Sequence, residues 1–259
     1  MSKPLISVVV VTLNAEKTLQ DTINSLQSQT FKEFEVIFKD GGSQDSTIDI
    51  IKSCNLNYKI SVEPDNGIYD AMNKGSVLSN GKFITFLNAD DQLESNNVLE
   101  KLSNLIIKGN ADLYYGSIKI ISNRDKHNIQ RVWESRNFNK LSFLSGYVPP
   151  HPGSLIRKEI FRELNGFDDS FKLAGDFDFF LRCLKNKIII CPVNFDTVLM
   201  ADGGASSGFG DVLKVKYKEL LYSFKKNNFR LYGYSHIASR VIFRLKAMQR
   251  NKYRKYEKL

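Results

Sequence analysis

Apolar runs alternate with stretches of helical periodicity along the first part of the chain. "ISVVVVTL" (6–13) is continuous and β-branched, the pattern of a strand buried on both faces. Asn14 then offers an N-cap, and Leu19, Ile23 and Leu26 recur at helical spacing, which predicts a helix over 15–28. "FEVIFK" (34–39) predicts a second strand, "GGS" a turn, and 45–53 a helix. "YKISVE" (58–63) predicts a third strand with a helix over 68–79 behind it, and "KFITFL" (82–87) a fourth strand. Repeated βα alternation of this kind implies an α/β fold with a mostly parallel, Rossmann-like central sheet flanked by helices.

A helix over 96–108 and a strand at "LYYGSIKII" (113–121) follow, and then the pattern changes. Residues 122–152 are polar, aromatic and interrupted by Pro149, Pro150 and Pro152, which suits long surface loops beside a cleft. "GDFDFFLRCLKN" (175–186) predicts a helix, and "IIIC" and "FDTVLMA" two short strands. A basic helical extension closes the chain. The natural division is a domain over 1–210, with halves at about 1–110 and 111–210, and a tail over 211–259. There are no internal repeats.

In an open parallel sheet the ligand crevice lies beyond the carboxyl ends of the strands. The residues there are Thr12, Asn14 and Glu16 after the first strand, and Asp40 with Gly41, Gly42 and Ser43 after the second. Glu63, Asp65, Asn66 and Gly67 follow the third, and Asn88, Ala89, Asp90 and Asp91 the fourth. The fourth strand, "FITFLNADD" (83–91), runs straight from apolar residues into an amide and two adjacent carboxylates. Adjacent anions repel, so they either lie in water at the start of a loop or share a cation with a ligand. Oxygen donors favour the hard ions Mg²⁺ or Mn²⁺, which keep coordination positions for phosphate. Three other polar strand ends converging on the same rim favour the cation.

Charge adds a second feature. The net charge is +9, but residues 211–259 alone hold 14 Lys/Arg against 3 Asp/Glu, leaving 23 against 25 on the other 210 residues. A basic tail suits an anionic partner. Within it, Ile237, Val241, Leu245 and Met248 recur at helical spacing, with Arg240, Arg244, Lys246 and Arg250 on other faces. Such a helix either lies in an anionic membrane interface or packs its apolar face on the body. Cys54, Cys183 and Cys191 have no metal-ligand spacing, and the first residues read neither as a secretory signal nor as a membrane span. These features predict a reducing, cytoplasmic setting, with peripheral contact at the inner face of the membrane through the tail.

Five motifs, "SVVVVTLN", "KDGGSQDST", "DNGIYDAMNKG", "FLNADD" and "GDFDFFLR", stand in the order and spacing of the family 2 glycosyltransferases, and the chain resembles them over roughly 5–205. The resemblance implies the GT-A fold and an inverting transfer of a hexosyl or N-acetylhexosaminyl group from a nucleotide diphosphate sugar, of the kind used in bacterial polysaccharide biosynthesis. It implies a uridine diphosphate donor, a saccharide or polyprenol-linked saccharide acceptor, and Mn²⁺ or Mg²⁺ as cofactor. Thr12, Asn14 and Glu16 would line the nucleotide pocket and Asp40 would approach the base. Asp65, Asn66 and Gly67 would wrap the donor.

Residues 88–90 match the family's Asp-x-Asp signature, with Asp90 as metal ligand and Asp91 as a second candidate. The acid opening the helix, Asp176, matches the general base, while Asp178 would orient or cap. His151 falls where the family lines the acceptor side, and unaided it reads equally as a loop-holding histidine; Trp133 offers a ring that could stack on an acceptor sugar, against the commoner reading of a packing tryptophan. "DGGAS" (202–206) reads as a flap or an ordinary glycine turn, and His127 and His236 carry no functional reading. Two positions depart from the family pattern: Asn88 replaces the first acid of the signature, and Gly41 the second acid of Asp-Asp-Gly-Ser.

Rival classes lack their signatures. "TLNAEKT" is not the Gly-x-Gly-x-x-Gly of a dinucleotide-dependent oxidoreductase, and there is no P-loop. A sugar-phosphate nucleotidyltransferase would open on a glycine-rich basic loop. A nucleic-acid-binding module could use the tail, but the body is slightly acidic and carries no matching motif, so no nucleic acid is expected.

Overall fold

The computed structural model describes residues 3–122, 125–203, 211–229, 233 and 235–239. Its element order begins β1 (Ile6–Thr12), α1 (Leu19–Gln27), β2 (Phe34–Asp40), α2 (Thr47–Ser53), β3 (Tyr58–Val62), α3 (Ile68–Leu78), β4 (Phe83–Asn88), β5 (Gln92–Leu93) and α4 (Val98–Lys108). It continues with β6 (Leu113–Ile121), β7 (Ile129–Trp133), α5 (Lys140–Leu144), β8 (Ser154–Arg157), α6 (Lys158–Glu163), α7 (Gly175–Lys185), β9 (Ile190–Ala201) and α8 (Asp211–Lys226). The strands form a single sheet in the order β3-β2-β1-β4-β8-β6-β9-β5, with β7 on β6.

Strands β3, β2, β1 and β4 are parallel, as the βα alternation requires. From β8 onward the sheet is mixed: β8 is antiparallel to both β4 and β6, and β9 is parallel to β6. Alternate residues of the central strands feed two cores. Val8, Val10, Phe83 and Leu87 face Leu19, Ile23 and Leu26 of α1 and Val98 and Leu102 of α4. Val9, Val11, Ile84 and Phe86 face Tyr69 and Met72 of α3, Phe177 and Phe180 of α7, and Leu220 and Phe224 of α8.

The structure departs from the sequence pattern in four places. Asn14 does not cap α1, which starts at Leu19; Asn14 instead takes a left-handed backbone with φ 49° and serves as a loop tie. Residues 122–152 are not loop alone. They hold β7, and α5 opened by a capping box in which Asn139 Oδ1 accepts from Leu141 and Ser142 N–H. Strand β8 inserts between β4 and β6. "IIIC" and "FDTVLMA" give one continuous strand, β9.

Helix α8, beyond the boundary expected at 210, packs on α7 with Leu220 and Phe224 buried. His236 is buried against Phe143, Phe177 and Phe224. The amphipathic pattern from Arg240 to Arg250 and residues 204–206 of "DGGAS" lie outside the described residues. Among the described residues no helix is long and apolar enough to cross a membrane.

Candidate active site

The carboxyl ends of the parallel strands line up. Thr12 stands opposite Asp40, Asp40 opposite Val62, and Val11 opposite Asn88. Thr12 Oγ1 donates to Asp40 Oδ2 at 2.8 Å, joined by Ser43 Oγ at 2.6 Å, while Gly42 N and Ser43 N donate to Oδ1 at 2.9 and 2.7 Å. Two carboxylate oxygens accept about four bonds. Asp40, with 0% exposure, therefore spends its capacity on shaping the loop after β2 and presents no face to a base. Burial alone would raise its carboxyl, yet the donors from Ser43, Thr12 and Gly42 hold it below the usual range.

The loops after β1 and β2 are stitched together. Asn14 N donates to Ser43 Oγ at 2.8 Å and Gln44 N to Asn14 Oδ1 at 2.9 Å; Glu16 N donates to Asp45 Oδ2 at 3.1 Å and Ser46 N to Glu16 Oε2 at 3.2 Å. Thr12, Asn14, Glu16 and Asp40 thus belong to one rim. Leu13, 59% exposed, Val62 and Ile68 add apolar side chains to it.

Asp65 reaches across this rim. Its Oδ1 accepts from Gly67 N at 3.0 Å, and its Oδ2 lies 3.7 Å from Lys39 Nζ. Gly41 makes this possible, since a Cβ there would stand 2.7 Å from Asp65 Oδ2. The space that the family's second acid would need is occupied by Asp65. Lys39 has 0% exposure and also donates to Asp40 O at 2.9 Å and Glu63 O at 2.6 Å. It buries a cation under the rim that sequence reasoning missed. The available signal was the one basic residue of β2, set directly before Asp40. Gly67 adopts φ 122° at the N-cap of α3, and Asn66 N donates to Asp70 Oδ2 at 2.8 Å.

At the end of β4 the adjacent carboxylates part company. Asp91, expected as a second cation ligand, is 1% exposed and turned inward. Ala201 N donates to its Oδ1 at 3.0 Å and Asn88 Nδ2 to its Oδ2 at 2.9 Å. Burial and the charge of Asp90 push its carboxyl up to about 8. Asp91 therefore fastens β4 to β9, and its oxygens are already engaged by protein donors. Asp90 is half-buried, Ala89 is buried, and Asn88 Oδ1 is buried with no hydrogen-bond partner among the described residues. Among the described residues no cluster of three or more His, Cys, Asp or Glu could enclose a metal by itself. The oxygen donors of Asp90 and Asn88 fit a hard ion that takes its remaining ligands from water and phosphate.

Asp176, in the first turn of α7, sits between two groups. Tyr69 Oη donates to its Oδ1 at 3.2 Å, and His151 Nδ1 lies 3.5 Å from its Oδ2. Burial alone would raise its carboxyl, but His151, the charge of Lys216 and the Phe177 backbone N–H hold it below the usual range. Tyr69 comes from the "DNGIYDAMNKG" segment, so the stretch expected to wrap the donor touches the expected base. A Cβ on Gly175 would stand 2.8 Å from the Tyr69 ring, so only glycine admits this packing. His151 Nε2 is buried without a hydrogen-bond partner among the described residues, in a small cavity walled by Phe86, Phe161, Phe167 and Phe179. Ile84, Phe86 and Asn88 share one face of β4, the face that packs toward Tyr69 and Phe177. The end of β4 and the Asp176 cluster therefore lie on one side of the sheet.

Asp178 is fully buried and accepts from Arg182 Nε at 2.8 Å and Ser223 Oγ at 2.7 Å, an anchoring role. Trp133 donates its indole N–H to Val148 O at 3.1 Å and packs on the core.

Residues 7–165 match the profile of glycosyl transferase family 2. A PGL/p-HBAD biosynthesis glycosyltransferase of Mycobacterium tuberculosis is 30% identical over 196 residues, 73% of this chain and 73% of that one. Staphylococcus aureus TarS superimposes with a TM-score of 0.64 at 24% identity, over 83% of this chain and 39% of the TarS chain. Its 1–349 portion in complex with UDP-GlcNAc gives 0.66 at 22% identity, over 83% of this chain and 66% of that portion. The mannosyltransferase PcManGT from Pyrobaculum calidifontis, in complex with GDP-Man and Mn²⁺, gives 0.64 at 15% identity, over 92% and 72% of the two chains. These structural likenesses are likenesses of fold.

Proposed function

Since this chain belongs to glycosyl transferase family 2 and is a glycosyltransferase of the GT-A fold, we propose that it transfers a sugar, with inversion, from a uridine diphosphate sugar to a hydroxyl of a saccharide or polyprenol-linked saccharide. The observation that carries this reading is the Asp176 carboxylate held between His151 and Tyr69, with Tyr69 supplied by the donor-side segment.

The acceptor hydroxyl attacks the anomeric carbon, its proton passes to Asp176, and the bond to the diphosphate breaks with the electron pair leaving on phosphate oxygen. General-base help of this kind is worth about 10²–10⁴-fold. A carboxyl held below its ordinary range is ionised throughout the neutral region, as a base must be. Asp90 and Asn88 would hold Mg²⁺ or Mn²⁺, which when bound neutralises charge on the leaving diphosphate. Thr12, Asn14 and Glu16 line the nucleotide end, with Leu13, Val62 and Ile68 as an apolar wall for the base. Asp65 lies over Gly41 with its charge balanced by Lys39. Asp40 acts by shaping the loop, and Asn66 and Gly67 open α3 beside the donor.

TarS in complex with UDP-GlcNAc and PcManGT with GDP-Man and Mn²⁺ support a nucleotide-sugar donor and a divalent cation. The outer positions of α8, among them Lys214, Lys218 and Lys225, support contact of 211–259 with an anionic membrane surface, which would place the protein at the inner face. Melting with UDP, GDP and thymidine diphosphate, each with and without Mn²⁺, tests the proposal. A ligand at 100 times its Kd stabilises by about 2.7 kcal/mol. UDP with Mn²⁺ should give the largest rise, and Asp90→Ala should remove the Mn²⁺-dependent part. A melting point unmoved by every diphosphate would overturn the assignment.

A further inference from the structure

We infer that α8 completes the active site and that Glu219 is a positioning residue for Asp176. The inference rests on Asp176 as the base. Helix α7 begins without a cap of its own: Ala174 and Gly175 have no side-chain acceptor, and no side-chain cap bond is made there. The amides leading into a helix must nevertheless find acceptors. Glu219 supplies them from a separate helix. Lys172 N donates to its Oε1 at 2.8 Å, and Leu173 N and Ala174 N donate to its Oε2 at 2.9 Å each. Three consecutive amides converging on one anion form a charge-assisted clasp, stronger than neutral bonds and aligned with the helix dipole.

The same helix holds the chain on the other side of the base. Asp178 accepts from Ser223 Oγ at 2.7 Å and Asn227 Nδ2 at 2.9 Å. Glu219, Ser223 and Asn227 are spaced four residues apart and form one stripe. Asp176 lies between the two gripped points, so α8 sets the height and rotation of the first turn of α7. His151 and Tyr69 then aim the carboxylate from the front. Lys216, nearly one turn before Glu219, adds its charge to the forces holding the Asp176 carboxyl down. Lys216, Glu219 and Ser223 of α8, and Asn227 just past its end, lie outside the 7–165 segment that carries the family match.

Displacing a reacting group by about 1 Å costs on the order of 10²-fold. Glu219→Ala frees three amides and the turn they control. Glu219→Gln keeps an acceptor oxygen and loses the charge, so it is the milder variant and carries the test if the alanine variant does not fold. Three readouts are taken on the full chain: UDP binding with Mn²⁺ by calorimetry, hydrolysis of the UDP-sugar that the wild type cleaves fastest, and amide exchange at 172–178.

The expected result is a fall in kcat of about 10²-fold for Glu219→Ala, with KM and the UDP Kd unchanged, faster exchange at Lys172, Leu173 and Ala174, and an intermediate kcat for Glu219→Gln. Wild-type kcat in a folded Glu219→Ala protein would overturn the inference, as would unchanged protection of those amides. A parallel loss of UDP binding and kcat would show a merely structural role. Asp176→Asn run alongside separates the two layers. If it keeps wild-type turnover the base assignment falls, while the exchange data still decide whether Glu219 holds the segment.

Discussion

His151→Ala tests how the base is tuned. The imidazole Nδ1 lies 3.5 Å from Asp176 Oδ2, and the two side chains are 19% and 22% exposed. A hydrogen bond to a charged group is worth about 1.5–3 kcal/mol. A contact this long, in a site partly open to water, falls below that range, at about 1 kcal/mol. That corresponds to a fall in kcat of about fivefold.

The pH dependence has a definite sign. Burial raises the Asp176 carboxyl, and His151 leads the influences that bring it below its ordinary range. The base works as the carboxylate, so turnover is lost as pH falls through the folded-state pKa. Without His151 that pKa rises, and the acid limb of the kcat/KM profile moves to higher pH. Stability follows the same sign. A depressed carboxyl stabilises the fold above its unfolded pKa and loses the contribution as pH falls through the folded value, so the variant is less stable at neutral pH by the same order, about 1 kcal/mol. His151→Gln keeps an N–H donor and should restore much of the profile. The assay is hydrolysis of a UDP-sugar from pH 4 to 9 with thermal melts in parallel. An acid limb for His151→Ala that superimposes on the wild type would refute the reasoning.

Other consequences follow from the same geometry. Gly175→Ala places a Cβ 2.8 Å from the Tyr69 ring. It should cost about 1–3 kcal/mol in urea unfolding and lower turnover by displacing the tyrosine from Asp176. Asp40→Ala leaves the Gly42 and Ser43 amides without their acceptor, and should cost at least about 2 kcal/mol; donor binding weakens with it as the loop loosens. Asp91→Asn should retain Mn²⁺-dependent UDP binding, measured by calorimetry, whereas Asp90→Ala should lose it.

The parts of this molecule governed by local pattern were legible in the sequence. A continuous β-branched run marked β1, apolar-rich stretches marked β2 and β4, and helical patterning marked α1, α4 and α7. The strand-end rule then gathered Thr12, Asp40, Asp65 and Asn88 on one rim. What escaped depends on partners distant along the chain. Asp91 and Asp90 are neighbours of identical chemistry, and the Ala201 amide of β9, with the Asn88 amide, holds one of them inward. Tyr69 reads as a core aromatic until α7 places Asp176 against its hydroxyl. Glu219 reads as one acid in a basic helix until the uncapped start of α7 is seen to need it. Strand β8 spans only Ser154–Arg157; it is too short for alternation to register, and β4 and β6 on either side are what make it a strand.

The central claim is that the cation and diphosphate are gripped at Asp90, on the same side of the sheet as Asp176. Diffraction at the manganese absorption edge, from crystals grown with UDP and Mn²⁺, tests it most directly. The account predicts one anomalous peak bonded to the Asp90 carboxylate and to diphosphate oxygen, with Asp91 still bound to the Ala201 amide. A peak on Asp91, or diphosphate bound away from the end of β4, would contradict it.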